Sequence, residues 1–398
     1  MVHTAFSLEF ERALQVVDPR VSLAFWDYTI DDATYGANWT ESPIFDDDWF
    51  GAVPMTDDGE GASIPRGRWA NLKLPRISDV ADDERADVKA SFTNSYGLMR
   101  APWNASPSPF VLRSRLVAGS KPFTALPSCD TFEAAWQSDS LAEFNEAMNG
   151  VAHGQVHVAT GGHWGVDTAK LDVAGWSEHR EQVLLVAKNL WRQGYVRCDE
   201  GGACACPAQL TTGAGKGGYE VLLEAGQVQW LTQYATALGS PDGSGSEEDL
   251  AMATAWDGVL SAVCSVGQVG DMYTSASPVD PLFWIIHPNL DRLLMLRRTS
   301  SRPFDESWGY AHNQRTASDT TVVCDWSGVG TGTDASSMPN CTRSTSCSGH
   351  AKDDALPVQL EEDFTLGTFE EYLHPDNLGR SYRYENYEWG SCGTALVE

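Results

Sequence analysis

Three histidines stand where their spacing and surroundings suit metal binding. His153 and His157, in "AHGQVH", are four residues apart, so on a helix both imidazoles project from one face and can share an ion. A pair at this spacing, taken alone, more often serves packing or hydrogen bonding. The third histidine changes that. His287 lies in the apolar, aromatic run "SPVDPLFWIIHPNLDRLL", where an uncompensated polar ring is costly to bury. Ligation would satisfy one of its nitrogens, and Asp291, one turn later, could hold the helix or the ring from behind.

These side chains need helices to present them. Ser140 and Glu143 form an S-x-x-E capping box, with Leu141, Phe144, Met148 and Val151 following on one side; this predicts a helix running from 140 toward His153 and His157. Asp280 as N-cap and Pro281 at the first helical position predict another over 280–296, kinked or made irregular at Pro288. Phe6, Phe10, Ala13, Leu14 and Val17 mark an amphipathic helix that Asp18-Pro19 closes. Core helices are expected at 178–195, containing "EQVLLVAKNLWRQGY", and at 219–238. Residues 32–110 and 299–350 read as loop, and 356–390 as short strands or extended packing. No internal repeat is found.

The runs "HGQVHVATGGHWG" (153–165) and "GDMYTSASPVDPLFWIIHPNLDRLL" (270–294) resemble the second copper-binding region of tyrosinases, catechol oxidases and molluscan haemocyanins. The likeness includes the His-x-x-x-His pair, the Gly161-Gly162 turn, Asp280-Pro281, Phe283, His287 and Asp291-Arg292. It implies that His153, His157 and His287 hold one copper and that Phe283 packs beside their rings. Ile286 replaces a histidine of many relatives that is not a ligand. The opening stretch 3–31 is similar to the end of the family's first copper region. That implies His3 as the last of three ligands for a first copper, with Glu11, Trp26 and Asp27 in support. Its two companions have no counterpart in this sequence, and the first helix starts without a cap, so the expectation is a chain cut from something longer. "LGRSYRYENY" (378–387) resembles the tyrosine-containing segment that closes the family's catalytic domain.

Helix patterns and resemblance together give a mainly α fold: an antiparallel four-helix bundle holding a copper site, with long loops and a few short strands. One domain is expected over 1–398, made of a first-copper remnant (1–31), the second-copper region (140–296) and a C-terminal loop and strand segment (299–398). The implied cofactor is copper, two ions in the family and one complete site here. The implied reaction oxidises a small phenol or catechol to an o-quinone with dioxygen. Gly154 stands where some relatives active on monophenols carry asparagine, and Asn149 where some plant relatives place a water-positioning glutamate, so a catechol oxidase is expected over a tyrosinase. Two alternatives stay open: an oxygen carrier of the haemocyanin type, disfavoured by the absence of tandem units, and a degenerate single-copper or non-catalytic copper-binding protein. His163, in "GGHWG", lines the entrance or, as preferred, is a hydrogen-bonding loop residue. His179, His312, His350 and His374 are expected at the surface.

Composition bounds the rest. The chain has 398 residues, 42% of them apolar, enough for one large core or two smaller ones. A formal charge of −28, from 27 basic and 55 acidic residues, argues against nucleic acid as a partner. No run of 18 apolar residues offers a membrane span. Nine cysteines lie mostly in Gly-, Asp- and Ser-rich segments, which suits loop disulfides formed in an oxidising compartment. The close trio Cys198, Cys204 and Cys206 could instead hold a metal, but lacks a fourth ligand at zinc spacing. Sequons at Asn38, Asn104 and Asn340 are compatible with secretion. After Met1 and Val2 the chain enters its first helix with no basic flank or apolar leader. It is expected to be either cytosolic or, as the cysteines favour, a secreted protein whose start lies upstream.

Overall fold

The structure is a computed structural model that describes residues 2–54, 56, 60–81, 93–94, 96–100, 104, 106–117, 121–165, 186–191, 193, 195–198, 204–206, 216–228, 231, 239–265, 267–274, 276–307, 321–325, 340–344, 352–356, 358–360, 362–389 and 391–392. Its helices are α1 (Val2–Val17), α2 (Tyr28–Tyr35), α3 (Cys129–Trp136), α4 (Leu141–Asn149), α5 (Gly154–Gly161), α6 (Gly218–Glu224), α7 (Glu247–Val263), α8 (Phe283–Thr299) and α9 (Leu366–Leu373). The strands are short: β1 (Ala62–Ser63), β2 (Leu112–Arg113), β3 (Leu116–Val117), β4 (Lys121–Pro122), β5 (His163–Trp164), β6 (Arg197–Cys198), β7 (Cys204–Ala205), β8 (Gln268–Val269), β9 (Thr321–Asp325) and β10 (Asn340–Ser344). They pair antiparallel as β1–β2, β3–β4, β5–β8, β6–β7 and β9–β10. The described fold is mainly α.

Several elements differ from their sequence patterns. Ser140 does cap α4, its hydroxyl accepting from Glu143 N at 3.2 Å, but the Glu143 carboxylate accepts from Asp139 N, not Ser140 N. The helix stops at Asn149; Gly150 leaves helical geometry with φ −81° and ψ −110°, and a new helix starts at Gly154. The single run expected from 140 through His157 is therefore two helices, and His153 sits at the N-cap of the second. α8 begins at Phe283, one turn beyond Asp280, and passes through Pro288 uninterrupted. The interior proline, costing about 3 kcal/mol, is offset by packing on both sides, since Ile286, Leu293 and Met295 are buried and Phe10 stacks on Trp284 at 3.8 Å.

The stretch 356–390 contains α9 as well as extended chain. Thr365 and Thr368 cap it reciprocally, and Leu366, Phe369 and Leu373 bury one face. Of the helix expected at 178–195, residues 186–191 are helical and most of the remainder lies outside the described residues. The helix expected at 219–238 is interrupted after Glu224, where Gly226 turns the chain with φ +71°, and residues 228 and 231 are again helical; residues 229–230 and 232–238 lie outside the described residues.

One apolar core surrounds the histidines, built from α2–α5 and α8 around Trp26, Tyr28, Phe132, Trp136, Phe144 and Ile286. A second joins α6 and α7 through Val221, Leu222, Trp256 and Val259. A third unites Ala5 and Leu8 of α1, Met295 of α8 and Phe369 of α9. α1 and α8 run antiparallel, with Thr4 meeting Asp291 and Phe10 meeting Trp284.

Disulfides join Cys129 to Cys392 and Cys206 to Cys264, so the 198–206 trio is not a closed zinc set. Cys198 pairs in register with Cys204, and Cys324 with Cys341. Among the sequons, Asn38 is exposed. Asn104 is fully buried, its amide donating to the Val269 carbonyl and its oxygen accepting from Ser106 N, so a glycan there is incompatible with this packing.

Candidate metal centre

α5 and α8 bring His153, His157 and His287 together. α5 is closed by Gly161-Gly162, and both glycines are required by space. A Cβ on Gly161 would lie 2.8 Å from Tyr273 N, and one on Gly162, where φ is +74°, 2.2 Å from the Ser114 carbonyl. The chain then enters β5, whose His163 pairs with Val269 of β8. That pairing lays the 270–273 turn beside α5.

The three rings meet through their Nε2 atoms. His153 Nε2 is 2.8 Å from His157 Nε2 and 3.0 Å from His287 Nε2. His157 Nδ1 lies 2.6 Å from the Met272 carbonyl, and His287 Nδ1 2.7 Å from the Phe283 carbonyl. A carbonyl only accepts, so both Nδ1 atoms carry the proton and, in the neutral rings, both Nε2 atoms present lone pairs. His153 can donate an Nε2 proton to only one of them. At least one close acceptor–acceptor contact is left, and a cation at the convergence removes it. The residues present therefore fit a metal ion, and an all-imidazole set suits copper, zinc, iron or nickel.

Electrostatics agree. Desolvation is the largest cause holding His157 down to about 4 from its usual 6.5. His153 and His287 are pushed well below 6.5 by burial first and then by neighbouring imidazoles. Neutral imidazole is the ligating form. Asn149 places its carbonyl toward His153, but Nδ1 of that ring has no partner of hydrogen-bond geometry.

The other sequence candidates fall at graded distances. Phe283 packs on His287 with ring centroids 3.9 Å apart and stands 6.4 Å from His157. His3 meets His287 edge-on at 4.4 Å but lies outside the converging set of three. His3 is exposed, yet its pKa falls to about 4, with desolvation by its packed neighbours the largest cause. Asp291 touches the helix partners and not a ligand ring: its carboxylate accepts from Tyr382 and Tyr384 hydroxyls at 2.7 and 2.6 Å. Glu11 accepts from Leu23 N at 2.7 Å, tying down the chain after α1. Gly154 opens α5, and a Cβ there would press on the Asn149 carbonyl at 3.2 Å. His163 is buried in β5. His374 ends α9, partly exposed beside Asp376, and His179, His312 and His350 lie outside the described residues.

Sequence reasoning missed the two carbonyls that orient the rings, because a backbone acceptor has no residue signature. It also missed Arg100 and Arg113, which pair with Asp271 and Asp280 just ahead of those carbonyls. A cavity of about 680 Å³, walled by Glu11, Asp291, Tyr382 and Tyr384, reaches the site at His287.

A mainly helical protein with a buried three-imidazole centre is the class this geometry defines. The profile of the family described as the common central domain of tyrosinase matches residues 2–181. The chain is 27% identical over 184 residues to a tyrosinase of Streptomyces antibioticus, covering 44% of this chain and 56% of that protein. It is 28% identical over 174 residues to grixazone synthase of Streptomyces griseus, covering 40% and 54% respectively. A tyrosinase of Streptomyces galbus is 25% identical over 205 residues, 49% of this chain and 63% of the relative. The chain thus spans about half the length of the first two of these curated relatives. No solved structure matches it. Over the region that carries α1 and α5, the chain is similar to the common central domain of tyrosinase.

Proposed function

We propose that this chain is a copper oxidase of the tyrosinase type, with His153, His157 and His287 holding one copper and His3 belonging to the ligand set of a neighbouring ion. The observation that carries this is the convergence of three Nε2 atoms, two of them fixed as acceptors by Met272 and Phe283. Copper bound there supplies the redox couple that takes electrons from a diphenol and delivers them to dioxygen. The protein's own part is to keep the imidazoles neutral, aim their Nε2 atoms and surround them with apolar residues. Phe283 covers one face of His287, and α1, α5 and α8 act as three members of an antiparallel bundle within one domain.

A diphenol fits this site better than a monophenol. A monophenol must lose its proton on binding, and neither Gly154 nor Asn149 offers a basic group that would take it. Moreover, the 3.2 Å approach of a Cβ at 154 to the Asn149 carbonyl leaves little room for a side chain there. The two disulfides suit folding in an oxidising compartment, and no helix among the described residues is long and apolar enough to cross a membrane. The test is oxygen uptake by copper-loaded protein with 4-methylcatechol and with tyrosine. Turnover of the catechol with little of tyrosine is expected; faster turnover of tyrosine would overturn the preference. A second reading, a single-copper protein without turnover, is favoured by there being one three-histidine group among the described residues. It predicts one copper per chain and no oxygen uptake with either substrate.

A further inference from the structure

Two fully buried ion pairs flank the histidines without touching them. Arg100 grips Asp271 with Nε at 3.0 Å and Nη2 at 2.9 Å, and both side chains are 0% exposed. Arg113 grips Asp280 with Nε and Nη2 each at 2.7 Å, again at 0% exposure for both. A buried ion pair gains little stability over a well-packed apolar pair, because desolvation offsets the attraction. What a two-pronged guanidinium–carboxylate pair does provide is fixed geometry.

That geometry is passed to the ligand rings by short routes. Asp271 opens the 3-10 turn Asp271–Tyr273, accepts from Leu112 N through its carboxylate, and takes Thr274 N and Oγ1 on its carbonyl. The next residue, Met272, presents the carbonyl that receives His157 Nδ1. Asp280 accepts from Leu282 N through its carboxylate and from Phe283 N through its carbonyl at 3.0 Å. Phe283 then presents the carbonyl that receives His287 Nδ1. Each arginine is itself anchored: Arg100 donates to the Ser106 and Phe110 carbonyls, Arg113 to those of Phe50 and Gly51. One turn, one carbonyl and one ring answer to each pair.

We propose that Arg100 and Arg113 are positioning residues for the metal centre, each clamping the turn whose carbonyl fixes the tautomer and orientation of one ligand imidazole: Arg100 that of His157, Arg113 that of His287. The proposal rests on the metal-site reading given above for its consequence, but its first readout does not need metal. Lysine in place of either arginine keeps the charge and loses the fork.

The experiment uses the full chain labelled with 15N-histidine, metal-free, as wild type, Arg100→Lys, Arg113→Lys and Arg297→Lys. Arg297 is also fully buried and holds the Ser138 and Pro303 carbonyls, away from the ring-orienting turns. Long-range 1H–15N correlations report which ring nitrogen carries the proton. Wild type is expected to show His157 and His287 as Nδ1–H tautomers. Arg100→Lys should shift His157 to a mixture while leaving His287, Arg113→Lys should do the reverse, and Arg297→Lys should change neither while lowering the melting temperature. Copper(II) affinity, measured by competition with a chelator, should fall about 10–100-fold in the first two variants and stay at the wild-type value in the third, the usual size of effect for groups behind the ligands. Unchanged tautomers in both lysine variants would overturn the proposal, as would loss of both rings' order in Arg297→Lys. If neither lysine variant folds, the pairs serve the fold and the positioning claim is wrong. A wild type with both expected tautomers and no copper binding removes the oxidase reading, and the tautomer comparison still decides this one.

Discussion

At the scale of single residues, the site depends on imidazoles that stay neutral where free imidazole would be charged. His157 illustrates the linkage. Its folded pKa is about 4 against 6.5 for an unperturbed ring, so between these values the unfolded chain binds the extra proton. Stability therefore rises with pH across that window: it is fully present above about 6.5 and is lost as pH falls toward 4. Asp271 acts in the opposite sense, since burial raises its carboxyl to about 6 against the pull of Arg100. Its contribution is lost as pH rises through 6. The imidazole part is isolated by comparing metal-free wild type with His157→Gln in urea from pH 7 to 4.5. The wild type should lose stability more steeply as pH falls, and parallel profiles would contradict a buried neutral ring. The grouping of the three histidines was legible because His287 sets a polar ring in an apolar run, whereas the spacing of His153 and His157 alone says little. The ring-orienting carbonyls of Met272 and Phe283 were not, since any residue supplies one.

At the scale of elements, the Ser140 cap was read correctly, the Asp280 cap was not, since α8 starts at Phe283, and tertiary packing decides the rest. Ser140 begins α4 as its pattern says, yet nothing in the apolar spacing around Val151 shows the break at Gly150, and Val151 itself ends up exposed. Pro288 reads as a helix breaker and is carried inside α8 by the aromatic stack with α1. Residues 378–389 and 391–392 behave as a strap across α8. Tyr382 and Tyr384 donate to Asp291, Arg292 lies between Phe25 and Trp389 at 4.4 and 4.3 Å, and Cys392 is bonded to Cys129 of α3. Tyr384→Phe removes one hydroxyl from the Asp291 carboxylate and leaves Tyr382 and Thr4 in place. A hydrogen bond to a charged group contributes about 1.5–3 kcal/mol, and for this half-buried hydroxyl the lower figure is expected. The urea midpoint should fall accordingly with an unchanged denaturant slope. A loss well under 0.5 kcal/mol would show that the strap is held by the arginine stack and the disulfide instead.

At the scale of the whole molecule, two of the apolar cores divide the labour. The core containing α5 and α8 encloses the histidines, while the α6–α7 core, tied by Cys206–Cys264, packs its own helices on one another. The mainly helical class was legible because amphipathic periodicity survives in α1 and capping residues in α4. The buried arginine pairs, which join residues 171 and 167 positions apart in sequence, were invisible to any local pattern. The account as a whole stands on the claim that His153, His157 and His287 are ligands of one copper. X-ray absorption at the copper edge, on protein loaded and then freed of loosely held metal, tests it most directly when paired with His153→Ala/His157→Ala. The account predicts about three imidazole nitrogens around tightly held copper in the wild type, and loss of that copper in the double variant. Copper coordinated without imidazole, or retained unchanged when both histidines are gone, would contradict it.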